Sequence, residues 1–106
     1  MSEAARGNSI DSVQSPDGSG HCCANPSIQS TDQCSSKVFI EGHGVVRQGD
    51  AMIIHNYDGP CCNPHAPTLS NGSSKVFVEG KQIARKGDSY GGDHIIMTGS
   101  SKVSIG

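Results

Sequence analysis

Ser73-Ser74-Lys75-Val76-Phe77-Val78-Glu79-Gly80-Lys81-Gln82-Ile83-Ala84-Arg85-Lys86-Gly87-Asp88 reads as two short strands folded about a tight turn. Val76 and Val78 alternate with Lys75, Phe77 and Glu79, so one face is aliphatic. Glu79-Gly80 stands where the hairpin turns, and Gly80 can adopt the positive φ such turns need. The return strand runs through Ile83, Ala84 and Arg85 to a stop at Gly87-Asp88. The pattern occurs earlier, from Ser35-Ser36-Lys37-Val38-Phe39-Ile40-Glu41-Gly42 through Val45-Val46-Arg47 to Gly49-Asp50. A shortened copy, Ser100-Ser101-Lys102-Val103-Ser104-Ile105-Gly106, follows later. Repetition at this spacing decides the architecture before any other signal.

The shortened copy lacks a return strand, and Glu3-Ala4-Ala5-Arg6-Gly7-Asn8 resembles one. The first arm is therefore expected to pair with the last strand and close a ring of three hairpins. Closure would remove two sheet edges and give one chain an approximate three-fold axis.

The 106 residues include fourteen Gly, five Pro, two Phe, two Tyr and no Trp. The expectation is one all-β domain over residues 1–106, with a thin core that needs a staple: a disulfide, a metal or a partner. The formal charge of −2, with acids and bases interspersed, gives no footprint for nucleic acid. No apolar run approaches the ~20 residues of a membrane-spanning helix, and no signal peptide is visible, so export would depend on another machine.

Between the hairpins lie three segments expected to be loops, over residues 9–34, 51–72 and 89–99. They hold every Cys, and every His except His43. His21, the pair His55 and His65, and His94 supply each loop with imidazole. Cys22-Cys23 and Cys61-Cys62 have similar surroundings, and Cys62 and His65 are spaced for a local chelate. Loops that converge at one end of a three-fold axis could set three imidazoles and one thiolate around a tetrahedral ion, for which zinc is suited. Five Cys is an odd number, and a bond such as Cys23 to Cys34 stays open as the other staple.

Taken together these residues resemble the PAAR-repeat family. They are Gly72-Ser73, Val76-Phe77-Val78-Glu79-Gly80, Gln82-Ile83-Ala84-Arg85 and Gly87-Asp88, with their counterparts at 38–50 and at Ala4-Ala5-Arg6-Gly7. The Pro of the motif is absent, the Asn-Gly turn has become Glu-Gly, and the first Gly-Asp is Gly7-Asn8. The resemblance implies a small conical fold of three strand-turn-strand repeats with pseudo-three-fold symmetry. It implies a metal-stabilised tip on a trimeric β-helical spike, one chain per trimer, in a phage tail or a type VI secretion apparatus. Such a tip would touch the target membrane transiently, and any effector cargo would bind non-covalently. Carried over by position, His21, His55 and His94 would hold a structural Zn2+, with Cys62 as fourth ligand and Cys61 and His65 as alternates; iron is the less favoured metal. The competing reading is a small zinc-dependent hydrolase with an open metal position, in which Asp93 beside His94 would act as a base or orient the ring.

Overall fold

The computed structural model describes residues 2–18, 26–56, 64–91 and 93–106. Among these there is no helix, and the strands are short: β1 (Ser2–Glu3), β2 (Ser12–Gly18), β3 (Pro26–Ser30), β4 (Phe39–Ile40), β5 (His43–Gly44), β6 (His55–Asn56), β7 (Pro64–His65), β8 (Phe77–Val78), β9 (Lys81–Gln82), β10 (Ser89–Tyr90), β11 (His94–Ile96) and β12 (Ser104–Ile105).

Two hairpins lie within the repeats and the third is closed head to tail. β4 pairs with β5, and β8 with β9. β12 pairs with β1, placing Ser104 opposite Glu3 and Ile105 opposite Ser2. The Ala4 N–H also donates to the Val103 carbonyl at 2.9 Å. Bridges then link the three arms in a cycle: Arg6 to Val45, Arg47 to Ile83, and Arg85 to Ala4. At the centre, Val46 N–H donates to Ala5, Ala84 to Val46 and Ala5 to Ala84, at 3.1, 2.9 and 3.1 Å. Three backbones thus satisfy one another around a common axis, as buried main-chain groups must.

The arms divide two cores. Ala4, Val45 and Ile83 join Val78 and Ile105 on one side, flanked by the partly buried Ile40, Val76 and Val103. Their chain neighbours Ala5, Val46 and Ala84 join Val13, Met52, Leu69, Tyr90 and Ile96 on the other. Alternation sets this division: Val78 is buried whereas Phe77 is 55% exposed. The molecule is elongated, 39 × 24 × 22 Å.

Each arm carries the same ion-pair clamp. The Asp50 carboxylate accepts from the Arg47 backbone N–H, Nε and Nη2 at 2.9, 2.9 and 3.0 Å. Asp88 holds Arg85 in the same way. In the first arm the expected Gly7-Asn8 stop is corrected, because Asp11 is the residue that clamps Arg6. The path to it is two residues longer, with Asn8 and Ser9 at positive φ.

The guanidiniums also reach across the seams between arms. Arg47 pairs with Glu79 at 2.8 Å and Arg6 with Glu41 at 3.3 Å, while Arg85 Nη1 donates to the Gly106 oxygen at 3.2 Å. Ser35, Ser100 and Ser73 donate to the same three acceptors. This accounts for Glu-Gly at the turns: the Glu carboxylate binds Arg and Ser of a neighbouring arm. Cys34 is a free thiol, and Cys23, the other half of the disulfide considered above, lies outside the described residues. Cys34 stands where the other arms have Gly72 and Gly99, and the missing side chains of Gly7 and Gly44 make its room.

The expectation of one long loop over residues 9–34 also needs correction. β2 and β3 form a hairpin with Val13 opposite Gln29, and β11 and β10 extend it into a four-stranded sheet in the order β10-β11-β2-β3. The alternation is faint in the sequence because only Val13 and Ile28 are large and apolar across the paired registers.

Candidate metal centre

The segment after Asp50 runs to β6, and β6 pairs with β7 so that His55 lies directly opposite His65. Cross-strand partners in a two-stranded ribbon share a face, so both imidazoles project together. His94 arrives on β11, paired with Tyr90 and held beside β2 through Ile95 and Gln14. His55 and His94 are buried, and His65 is half-buried.

The three rings converge on one point. His55 Nε2 lies 2.8 Å from His65 Nε2 and 3.0 Å from His94 Nε2. Ring centroids are 4.4, 5.0 and 5.3 Å apart, with tilted or edge-on planes. One ligand atom from each residue lies within 4.8 Å of the others.

The opposite ring nitrogens fix what the Nε2 atoms can be. His55 Nδ1 is 3.0 Å from the Ile53 carbonyl, and His94 Nδ1 is 2.7 Å from the Gly91 carbonyl. A carbonyl only accepts, so both Nδ1 atoms carry hydrogen and, in neutral rings, both Nε2 atoms are lone pairs. Two lone pairs 3.0 Å apart repel unless a cation lies between them. Backbone carbonyls at Nδ1 and bare Nε2 atoms facing inward are the arrangement that orients imidazole ligands on a metal. The donor set therefore fits a metal ion. Zinc held at ~2.0–2.1 Å by tetrahedral nitrogens would set them about 3.3 Å apart, a small outward adjustment from the distances here.

Of the residues expected at the site, His55, His65 and His94 are brought together. His21, Cys61 and Cys62 lie outside the described residues, as do Cys22 and Cys23. Asp93 is exposed, and His94 Nδ1 is held by the Gly91 carbonyl. The signal that raises His65 from alternate to neighbour of His55 is strand register: flanks of a hairpin loop end up opposite each other. His43 lies in β5, in the first hairpin.

No curated protein matches the chain. A family model, the PAAR motif, matches residues 33–93, more than half of the sequence. That stretch contains the Arg47–Asp50 and Arg85–Asp88 clamps and the His55–His65 pair. The motif is associated with the spike tips of contractile injection systems, in phage tails and type VI secretion machines. On this match and the ring of three arms, the chain belongs to the PAAR-motif family.

Proposed function

We propose that this protein is the metal-stabilised sharp tip of a contractile injection machine, capping a trimeric β-helical spike and helping it pierce the target envelope. The observation that carries this is the closed cycle of hydrogen bonds through Ala5, Val46 and Ala84. It gives one polypeptide the approximate three-fold axis needed to meet three identical partner chains at once. The arm end would seat on the spike, where exposed strand backbone could extend the partner's β-structure. The loop end would bear the load.

A contracting spike concentrates force on that loop end, and the two-residue strands β6 and β7 resist little alone. A metal held by His55, His65 and His94 would tie two loops together at the point of load. Structural zinc contributes about 10–16 kcal/mol in small peptides at neutral pH, enough to decide whether such loops hold. Zinc is the proposed ion, and the fourth ligand is proposed from His21, Cys61 and Cys62, with Cys62 preferred.

Two measurements test the proposal. Mixed with a trimeric spike protein, the chain is expected to give a complex of one tip per trimer by light scattering. Any other stoichiometry, or separate elution, would overturn the capping role. Elemental analysis is expected to find about one zinc per chain, lost in His55→Ala and His94→Ala; full-length, folded, metal-free protein would overturn the metal role.

A further inference from the structure

Charge is distributed unevenly along the axis. All eight Lys and Arg fall in the arm segments; residues 12–30, 51–71 and 89–98 contain none. Each of those three segments holds a single acid, Asp17, Asp58 or Asp93. The described parts of these segments, which carry the three clustered histidines, thus hold no Lys or Arg.

Large aliphatic side chains are exposed on those same segments. Ile54 precedes His55 and is 63% exposed; Ile95 follows His94 and is 41% exposed. Ile95 pairs with Gln14, and Gln14 with Ile28, which is 60% exposed, so the three lie in one row across β11, β2 and β3. Met97 is two residues along from Ile95 and also exposed. With Gln14, Ser27 and Ile28 it lines a shallow depression of about 310 Å³. The exposed Phe39 and Phe77 of the arms differ, since each stands two residues from a lysine, Lys37 or Lys75.

We infer that the half bearing Ile28, Ile54 and Ile95 is a lipid-binding surface that enters the apolar boundary of a zwitterionic bilayer. The inference deepens the piercing role and rests on it. Apolar side chains gain free energy on leaving water, whereas cations and carboxylates resist entry into hydrocarbon. Sheet pairing also satisfies backbone groups that a bilayer could not. With no Lys or Arg in these segments, no basic side chain recruits anionic headgroups to them. Hydrocarbon is the occupant that an isoleucine-bearing surface without basic side chains fits.

The test is co-sedimentation of the full, zinc-loaded chain with phosphatidylcholine vesicles and with vesicles containing phosphatidylglycerol. Binding to phosphatidylcholine is expected, insensitive to salt and no stronger on the anionic vesicles. The triple variant Ile28→Ser/Ile54→Ser/Ile95→Ser should bind at least about tenfold more weakly. Phe39→Ser/Phe77→Ser should bind as the parent does. No binding to phosphatidylcholine, an unaffected triple variant, or salt-sensitive binding to anionic vesicles alone would overturn the inference. So would a homodimer of the parent that the triple variant abolishes, because the surface would then be a self-interface. Single Ile54→Ser and Ile28→Ser variants, each with a partial loss, keep the test valid if the triple variant folds poorly. Capping separates the two readings: the triple variant should still form one-per-trimer spike complexes while losing vesicles.

Discussion

Asp11 has a fully enclosed side chain, and it receives the Arg6 backbone N–H, two guanidinium nitrogens and the Thr98 hydroxyl. Removing one partner of a buried ion pair strands the other. Asp11→Ala is therefore expected to cost about 3–5 kcal/mol, read as a shift of the urea midpoint at constant m-value. Glu79 poses a different test. Its carboxyl is held below the ordinary value, first by the Ser35 hydroxyl and then by the Arg47 charge. A depressed folded value stabilises the protein above the unfolded one and fades as pH falls through the folded one. Glu79→Gln should thus melt below the parent at pH 7, and the gap should narrow as pH falls below the ordinary carboxylate range. Tyr90 is the opposite case. Its hydroxyl is buried without a hydrogen-bond partner among the described residues, and burial pushes its acidity far down. Tyr90→Phe should melt at or above the parent temperature, because removing an unsatisfied buried hydroxyl relieves about 1–3 kcal/mol of desolvation.

The hairpin was legible as an element because its turn carries its own chemistry. Glu79 and Gly80 both adopt positive φ, 54° and 80°, as a tight two-residue hairpin turn requires, and Glu41 and Gly42 repeat it. Gly80 and Gly72 show that glycines act differently in one arm. A Cβ on Gly80 would meet open space but sit on a left-handed backbone, whereas one on Gly72 would collide with the Ile83 carbonyl. Gly80→Ala should cost about 1 kcal/mol, and Gly72→Ala clearly more, by calorimetry on matched samples. The β2–β3 hairpin was not legible. Among their described side chains these strands bury only Val13 and Ser15, so period-2 contrast hardly rises above a polar background. The Arg6–Asp11 clamp was hidden for a related reason. The two extra residues move the carboxylate away from the motif position, and only the fold brings it back.

At the scale of the molecule, three arms make one object because the first completes the third. That closure was readable from Ala4-Ala5-Arg6 and Val103-Ser104-Ile105, whose likeness to the other arms survives without a turn to join them. The site was readable in kind, from histidines gathered in the loops, but its membership depended on register across β6 and β7. Metal removal is the whole-molecule test. Chelation should lower the melting temperature, and His65→Ala should lower it by a similar amount and remove any further response to chelator.

The pairing of β1 with β12 also constrains how the molecule is born. Ser2 and Glu3 leave the ribosome about a hundred residues before their partners Ile105 and Ser104. Until then β1 is an open sheet margin, and bringing it to β12 requires the longest chain closure among the described strand pairings. The ring therefore cannot close until residues 104–105 have emerged, and the interval before that is when the chain is most exposed to wrong pairing with a neighbour.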